Sequence, residues 1–357
     1  MKTTRRLLLR WYRENRRDLP WRRTRDPYAI WISEAMLQQT RVETVIPYFE
    51  RFLERFPNVF ALAGADADDL LGVWAGLGYY SRARNLQKAA KIVVEEHEGR
   101  LPGSAEALRE LPGIGRYTAG AVASIAFDRP EAIVDGNVAR VLARLLEIRE
   151  DIKSPPTRQR LWDEAAALAQ GPDPGDLNQA LMELGATICT PRSPSCGVCP
   201  LRRRCAGLAA GDPESLPVKT RKAQPRAVEG VAGWVTRRGK ALAVRRPPYG
   251  LLGGLWELPG GELSSKEAPE AGMLRALREG VGLRTAAAER LGSIDHTFSH
   301  RRLRLHVFRC DTAVGRVRLD GFDAHRWVAP TAVVELPHGA PTRKALGLLA
   351  RSETSSI

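Results

Sequence analysis

The clearest candidates for chemistry are four cysteines in the stretch CTPRSPSCGVCPLRRRC, residues 189–205. They are Cys189, Cys196, Cys199 and Cys205, in the spacing C-x6-C-x2-C-x5-C. Four thiolates at this spacing can converge within one loop and bind a zinc ion or a [4Fe–4S] cluster, with unligated structural cysteines as the third possibility. Cys310, alone in an apolar run, is more simply a buried core residue.

A second candidate is the turn in LPGIGRYTAGAVASIAF, residues 111–127. Pro112 ends a helix that begins near Ser104, and Gly113 and Gly115 permit a tight turn before the next helix. The backbone N–H groups at the start of that next helix can bind an anion, such as a DNA phosphate, without reading base sequence. A glycine turn between helices also occurs for purely structural reasons, so both interpretations stay open.

Asp135 precedes the amphipathic stretch GNVARVLARLL. An aspartate at this place is typical of a helix N-cap, because its carboxylate accepts hydrogen bonds from the first backbone amides of the helix. A functional carboxylate is the alternative interpretation.

The elements that must position these residues change in type near residue 210. Before it, apolar residues recur at helical spacing, as in Val42, Val45 and Phe49, with Pro47 starting a new turn or a kink. After it, VAGWVT, KALAVRR, RLHVFRC and HRWVAP are strand-like, and APEAGMLRALREG is helical. The stretch between them, AAGDPESLPVKTRKAQPR, is rich in proline and charge, which predicts a linker.

Composition favours a polyanionic partner and an intracellular location. The 357 residues include 55 Lys and Arg against 41 Asp and Glu, a formal charge of +14, although arginine-rich sequences also arise from GC-rich coding. The opening MKTTRRLLLRWYRENRRDLPWRR has only three consecutive leucines, too few for a signal-peptide core or a membrane span. We therefore expect a cytoplasmic protein, where clustered cysteines favour metal ligation over disulfides.

Taken in order, the helix–G-I-G–helix turn, Asp135 and the cysteine quartet resemble the helix-hairpin-helix DNA glycosylases of the endonuclease III superfamily. The segments LPWRRTRDPYAIWISEAMLQQTRVETVIPYF and WAGLGYYSRARNL further resemble the adenine DNA glycosylases of the MutY type. The resemblance implies a structural [4Fe–4S] cluster that shapes a basic loop against the DNA backbone. Arg202, Arg203 and Arg204 suit that contact, although a charge run is also typical of a solvated surface.

One position separates the two chemistries of this superfamily. Bifunctional members carry a lysine after the hairpin glycines, and its amine forms a Schiff base with the sugar. Tyr117 stands in that place here and cannot form an imine, so the resemblance implies a monofunctional glycosylase.

The resemblance also implies two catalytic carboxylates. Glu34 is the general acid that protonates adenine at N7, and Asp135 stabilises the oxocarbenium-like sugar or bonds to it transiently. Trp31, Ile32 and Met36 are available to form an apolar pocket that raises the pKa of Glu34, although locally Glu34 also reads as a surface helix carboxylate. The resemblance places two further residues in the pocket to orient the carboxylate or water, namely Tyr117 and Asn137.

Further residues are implied to contact DNA. Arg22 resembles the adenine-pocket arginine of the family, and Gly113 and Gly115 present the hairpin amides. Because the target base must leave the duplex, the family positions that fill or border the gap are Leu37, Gln39, Thr40 and Tyr79. From local pattern alone, Leu37 and Tyr79 read equally as core packing. The loop Phe298, Ser299 and His300 is implied to reach the damaged guanine, where local pattern indicates only a hairpin turn.

The second half contains GGELSSKEAPEAGMLRALREGVGL, residues 260–283, which resembles the Nudix box of nucleotide pyrophosphohydrolases. The frame is kept by Gly261, Glu267, Arg275, Leu277, Glu279, Gly282 and Leu283. Two metal-binding positions are Ala276 and Gly280, and a hard cation needs several oxygen ligands. We therefore expect the Nudix fold without its hydrolase activity. The resemblance to the MutY type implies that this domain recognises 8-oxoguanine opposite the adenine.

The sequence thus predicts a multidomain protein. Residues 1–206 form an all-α helix-hairpin-helix glycosylase domain with the hairpin near 111–122 and the cluster loop at 189–205, followed by a linker at 207–226. Residues 227–350 form an α+β Nudix-like domain, and 351–357 a tail.

The expected activity is removal of adenine opposite 8-oxoguanine or guanine in duplex DNA, by a monomer in the bacterial cytoplasm that binds the nucleoid and no membrane. Alternatives are an endonuclease III-like glycosylase and lyase acting on oxidised pyrimidines, and a non-catalytic protein that binds damaged DNA.

Overall fold

This computed structural model describes residues 1–220, 224–311 and 313–354, which form two compact units. Of the described residues, the first unit contains 1–64 and 84–220, and the second contains 65–83 and 224–354. Residues 221–223 of the predicted linker and 355–357 of the predicted tail lie outside the described residues. The second unit differs from the continuous domain expected from sequence, because residues 65–83 pack with the C-terminal half.

The first unit is helical, as its apolar period predicts. The helices assigned in residues 1–220 are α1 (Lys2–Asn15), α2 (Pro27–Leu37), α3 (Val42–Arg55), α4 (Val59–Ala63), α5 (Ala67–Trp74), α6 (Ser81–Glu96), α7 (Ala105–Arg109), α8 (Arg116–Phe127), α9 (Gly136–Leu145), α10 (Pro155–Ala169), α11 (Pro174–Thr187) and α12 (Ala206–Ala209). Of these, α5 and the first residues of α6 belong to the second unit. Pro47 does not end α3 but lies inside it.

Three helices form the centre of the first unit. Residues Tyr28–Met36 of α2, Thr118–Ile125 of α8 and Val138–Leu145 of α9 are buried on all sides, as expected for helices that are surrounded by others. Gly185 lets α11 approach the start of α9 closely, because a Cβ added at Gly185 would lie 2.6 Å from the Cβ of Asn137. This contact brings α11 against the start of α9, where Asp135 and Asn137 are located.

Part of the predicted linker packs against the first unit. The buried guanidinium of Arg144 donates from Nε to the carbonyl of Leu216 at 3.0 Å, and the amide of Ile152 donates to the carbonyl of Val218 at 3.1 Å. The cluster loop therefore has ordered chain on both sides.

The second unit is built on a mixed sheet. Its strands in the described residues are β1 (Arg226–Arg237), β2 (Lys240–Arg245), β3 (Trp256–Glu257), β4 (Gly260–Glu262), β5 (Glu289–Thr297), β6 (Arg301–Cys310) and β7 (Ala324–Val328). The strand order is β3-β2-β1-β6-β5, with β4 on β1 and β7 on β2. β1 and β6 run parallel, and the other pairs are antiparallel.

Helices cover both faces of this sheet. Alternate residues of β1 point to opposite faces, so Val231 and Val235 pack with Met273 and Leu277 of α13 (Pro269–Val281). Ala232 and Trp234 pack on the other face, whose core is completed by residues of α14 (Pro330–Val333) and α15 (Ala340–Thr354). Cys310 is fully buried in the first of these cores, as predicted.

The expected fold class is confirmed: a helical unit is followed by a Nudix-like α+β unit. No helix in the described ranges combines the length and apolar character needed to cross a membrane.

Candidate active site

A cavity of about 420 Å³ in the first unit brings together residues that are far apart in sequence. Its lining includes eight of the residues expected to catalyse the reaction or to bind the DNA substrate: Arg22, Glu34, Leu37, Gln39, Thr40, Tyr117, Asp135 and Asn137. They come from the ends of α2, α8 and α9 and from the short helical turn before α2.

Glu34 is held in the last turns of α2 with only 4% of its surface exposed. Its Oε2 has no hydrogen-bond partner among the described residues. Burial raises the pKa of Glu34 from 4.5 to about 7, and the nearby charge of Asp135 adds to this effect while the Tyr117 hydroxyl opposes it. This carboxyl is therefore partly protonated at neutral pH and faces a cavity large enough for a base.

Tyr117 lies in the first turn of α8, directly after the hairpin glycines. Burial raises its pKa well above 10, and the charges of Glu34 and Asp135 raise it further. The phenol stays protonated, and its hydroxyl donates to Sδ of Met182 at 3.2 Å.

Asp135 caps a helix and also lines the cavity. It is the N-cap of α9, because its Oδ1 accepts from the amide of Val138 at 2.7 Å. Its Oδ2 accepts from Nδ2 of Asn137 at 3.1 Å and lines the cavity. Burial raises the pKa of Asp135, while the hydrogen bonds from Val138 and Asn137 lower it.

An ion-pair cluster that the sequence did not indicate forms another wall of the cavity. Glu183 of α11 is 1% exposed, and its carboxylate accepts from Nε of Arg17 at 2.8 Å and from Nη2 of Arg22 at 2.9 Å. Burial alone would raise the pKa of Glu183, but the hydrogen bonds from Arg17 and Arg22 outweigh it and lower the pKa to about 2. Arg22 is thereby held in place, with its guanidinium 5.5 Å from the centre of the Tyr12 ring.

A second unpredicted group, two arginines of α9, connects the cavity to the cysteine loop. Arg140 donates to Oδ1 of Asn137 at 2.8 Å and to the carbonyl of Cys189 at 2.7 Å. Arg144, 1% exposed, donates to the carbonyls of Thr190 and Pro191 at 2.6 and 3.0 Å. The N-cap of α9 and the loop therefore share one hydrogen-bond network.

The four cysteines follow α11 and are free and partly buried. The pKa of Cys199 is raised to about 11, first by burial and then by the charges of the other three cysteines, so the four thiols lie near one another. Cys189 also lies 3.4 Å from Nη1 of Arg144. No group of three His, Cys, Asp or Glu side chains in the described ranges is arranged to hold a metal ion. Four thiols within one loop are the donor set that a [4Fe–4S] cluster takes, with one thiolate for each iron.

The hairpin separates the roles of its two glycines. Gly113 has φ +81°, and a Cβ there would lie 2.6 Å from the Cβ of Asn85, so this position requires glycine. Gly115, the N-cap of α8, has φ −86° and open space around its missing Cβ. Its conformation does not require glycine, and the exposed backbone is open to a ligand. Arg116 stacks its guanidinium 3.9 Å from the Trp162 ring beside it.

Two predicted DNA-reading elements lie in the second unit. Tyr79 is 45% exposed and has φ +47°, in the turn between α5 and α6. Phe298, Ser299 and His300 form the tight connection between β5 and β6, with the amide of Phe298 donating to the carbonyl of Arg301 at 2.8 Å. Ser299 and His300 are exposed, while the Phe298 ring packs edge-on against His296 at 4.5 Å.

The remaining Nudix-box carboxylates are bound by arginines. Glu267 accepts from Nε of Arg275 at 2.7 Å and from the amide of Ser264 at 2.8 Å, and these contacts lower its pKa to about 2. Glu279 accepts from Arg275 and Arg278 at 3.4 and 3.0 Å.

Residues missed from sequence carried only a weak signal. Arg140 and Arg144 are spaced i, i+4 in a helix that is otherwise apolar on the same side, which indicates buried arginines with fixed partners. Glu183 in LNQALMELGA is one charge beside apolar neighbours. Its partner Arg17 lies over 160 residues earlier, a pairing that local pattern does not reveal.

Family models match three stretches of the chain. Residues 32–166 match the HhH-GPD superfamily base excision DNA repair proteins, 189–205 the iron–sulfur binding domain of endonuclease III, and 231–348 the NUDIX domain. The match to 189–205 confirms the expected [4Fe–4S] cofactor and removes the zinc alternative.

Named relatives are similar over most of the chain. The adenine DNA glycosylase of Homo sapiens is 39% identical across 84% of this chain. The match spans 65% of the human protein, just under two thirds of its length. That of Rattus norvegicus is 40% identical across 85% of this chain and 69% of its own length. A solved structure of a thermostable thymine-DNA glycosylase is 31% identical with a TM-score of 0.54, covering 58% of this chain and 96% of its own.

Proposed function

Because the chain belongs to the adenine DNA glycosylase family, we propose that it is a monofunctional hydrolase that removes adenine opposite 8-oxoguanine or guanine in duplex DNA. The observation that carries this proposal is the buried Glu34 carboxyl with its raised pKa, in a cavity shared with Asp135. Adenine leaves only after protonation, so a carboxyl that holds its proton near neutral pH is the required group.

The reaction breaks the bond between C1′ of the sugar and N9 of adenine. Glu34 donates its proton to N7, and the bonding electron pair leaves with the base. Asp135, as a carboxylate, stabilises the positive charge at C1′ until water adds there and yields the abasic site. Asn137 and the Val138 amide hold the Asp135 carboxylate through the two hydrogen bonds described above.

Recognition of adenine is assigned to Arg22, which Glu183 holds in place. The edge of adenine presents ring-nitrogen acceptors beside its amino donor. Glu183 accepts its hydrogen bonds from Arg17 and Arg22, and the remaining N–H donors of the Arg22 guanidinium are offered to the ring nitrogens. We further assign Leu37, Gln39 and Thr40, at the mouth of the same cavity, to the duplex that the flipped base leaves.

Two features oppose the alternatives. No lysine lines the cavity among the described residues, and Tyr117 occupies the hairpin position of the lyases, so a Schiff base has no donor. A non-catalytic damage-binding protein would gain nothing from an unpartnered carboxyl in a cavity, because that arrangement costs stability.

DNA binding is assigned to several surfaces. The hairpin amides at Gly113 and Gly115 hold a phosphate, and the exposed side chains of Arg202 and Arg203 contact the backbone beside the cluster loop. When bound, the [4Fe–4S] cluster fixes the fold of that loop. We assign recognition of the base opposite adenine to the Phe298–His300 loop of the second unit. In the same unit Glu267 is bound by Arg275, so this carboxylate is not available to bind the metal ion that Nudix hydrolase activity requires. We place the enzyme in the cytoplasm as a monomer.

The test is single-turnover release of adenine from duplexes with adenine opposite 8-oxoguanine, guanine or thymine. We expect the fastest release of adenine opposite 8-oxoguanine, slower release opposite guanine and the slowest opposite thymine. Glu34→Gln should lower the release rate by about 10²-fold or more while DNA affinity is retained. Release of an oxidised pyrimidine instead of adenine would establish the lyase-type alternative. Tight binding to the damaged duplex without any base release would establish the damage-binding alternative.

A further inference from the structure

Residues 65–83, here called the Tyr79 segment, belong to the second unit although the chain enters and leaves them from the helical half. The segment consists of α5, the turn that carries Tyr79 and the first residues of α6. Its attachments to the C-terminal residues are specific side-chain contacts.

Asp68 of α5 makes the first attachment. Its Oδ1 accepts from the indole Nε1 of Trp256 at 3.2 Å, and its Oδ2 pairs with Nη2 of Arg326 at 3.2 Å. The Arg326 guanidinium lies 4.5 Å from the centre of the Trp256 ring, so the three side chains form one cluster. Trp256 is 1% exposed, and a buried indole N–H without an acceptor is costly. The indole bond therefore matters more than the partly exposed ion pair.

Tyr80 makes the second attachment at the other end of the turn. Its hydroxyl donates to the carbonyl of His338 at 3.2 Å, and Nδ1 of His338 donates to the carbonyl of Trp256 at 2.7 Å. Asp68 at the start of α5 and Tyr80 directly after Tyr79 are therefore both connected to the buried Trp256 of β3, Asp68 directly and Tyr80 through His338.

Between these attachments the turn presents Tyr79 outward. Nε1 of Trp74 donates to the carbonyl of Gly78 at 3.1 Å, and Nη2 of Arg82 donates to the carbonyls of Leu77 and Gly78, both at 3.1 Å. The Arg82 guanidinium lies 5.6 Å from the centre of the Tyr79 ring. Tyr79 has a left-handed backbone and an exposed ring, and the hydrogen bonds of Trp74 and Arg82 fix the turn that carries it. Its ring is therefore held on the surface and does not pack in the core.

We propose that Asp68, Trp256 and Tyr80 are positioning residues, through which the second unit holds Tyr79 for insertion beside the mispair. This inference rests on the proposed function. It gives the second unit two reading elements, the Tyr79 turn and the Phe298–His300 loop, so that discrimination of the opposite base depends on side chains of α5 and β3 that do not touch DNA.

The test uses full-length Asp68→Ala, which removes both the acceptor of the indole N–H and the partner of Arg326. Trp256→Phe removes the indole N–H together with part of the buried ring. Glu335→Ala, at an exposed carboxylate of the same unit, is the matched control. We expect Asp68→Ala to narrow the preference for adenine opposite 8-oxoguanine over guanine by about threefold to tenfold, and Glu335→Ala to leave it unchanged. If Asp68 acts through Tyr79, the double variant Asp68→Ala, Tyr79→Ala loses no more preference than Tyr79→Ala alone.

Hydrogen exchange without DNA supplies a readout independent of catalysis. Residues 76–82 should exchange faster in Asp68→Ala and Trp256→Phe and at the wild-type rate in Glu335→Ala. Losses that multiply in the double variant, or equal losses on both duplexes that follow thermal stability, would overturn the positioning role. A wild-type protein that releases no adenine from any duplex would instead overturn the proposed function, and the exchange result would still decide whether Asp68 orders the turn.

Discussion

At the scale of single residues, the burial of Glu34 in the candidate active site costs stability and at the same time favours the proposed chemistry. Burial without a partner for Oε2 disfavours the ionised carboxyl, and the same burial gives the raised pKa that a general acid needs. Tyr117 and Asp135, which share the cavity, are partly buried. Two predictions test these residues.

The first prediction concerns the pH dependence of stability. The folded protein holds the Glu34 proton up to about pH 7, whereas the unfolded chain releases it near 4.5, so stability falls as pH rises between these values. Glutamine cannot ionise and escapes this loss. We expect Glu34→Gln to gain roughly 1–3 kcal/mol over the wild type at about pH 8, and much less at about pH 5.

Chemical denaturation at the two pH values measures this difference. Glu131→Gln, outside the cavity, controls for the removal of a carboxyl. If Glu34→Gln changes the free energy of unfolding by the same amount at both pH values, Glu34 is not held protonated in the folded protein. In the wild type, the rate of adenine release should also decline as pH rises through about 7, because the acid form is lost.

The second prediction concerns Tyr117. Replacement by lysine places an amine in the cavity beside Asp135, where the bifunctional relatives keep theirs, so Tyr117→Lys should form a DNA adduct that borohydride traps. Wild type and Tyr117→Phe should give none. A folded Tyr117→Lys that binds DNA and is not trapped contradicts the alignment of this position with the lyase lysine.

At the scale of elements, the hairpin between α7 and α8 has two glycines with different structural requirements. Gly113 is required by its positive φ and by the contact with Asn85, while the conformation of Gly115 is open to any residue. The N-cap aspartate of α9 is also a cavity carboxylate.

The third prediction compares these two glycines. Gly115→Ala should fold with stability within about 0.5 kcal/mol of the wild type, because the added methyl meets open space. It should weaken DNA binding by about tenfold, because the methyl stands where a phosphate must approach the α8 amides. Gly113→Ala should instead lose about 1 kcal/mol or more of stability. DNA affinity and chemical denaturation, measured on both variants, test this prediction. Unchanged DNA affinity in Gly115→Ala would mean that the turn has only a structural role.

At the scale of the whole molecule, catalysis and reading are assigned to different units. The first unit holds the cavity, the hairpin and the cluster loop, and the second holds the Tyr79 turn and the Phe298–His300 loop. This division implies that changes in the second unit affect the choice of duplex while the chemistry at Glu34 continues.

The fourth prediction follows from that division. Oxidation gives the damaged guanine an N7–H donor and a C8 carbonyl, which the exposed Ser299 hydroxyl can distinguish, while Phe298 can wedge beside the base. Replacing Phe298 and Ser299 together by alanine should narrow the preference for adenine opposite 8-oxoguanine over guanine by about tenfold or more. Adenine excision should persist. An unchanged ratio would place the reader elsewhere, and equal losses on both duplexes would indicate general DNA binding.

The sequence by itself determined the features that depend on spacing along the chain. Four cysteines within residues 189–205, the glycine turn at 111–127 and the strand-like runs of the second half are local features, because ligand loops, tight turns and single strands are set by a few consecutive residues. The cluster loop, the hairpin and the change from helices to a sheet were therefore all predictable.

Tertiary structure alone decided what depends on distant partners. The burial that raises the pKa of Glu34, the pairing of Glu183 with Arg17 and the packing of residues 65–83 with the C-terminal half have no local signal. In each case the energy comes from removing a group from water and from which far-off side chain then meets it, and neither is a property of neighbouring residues in the chain.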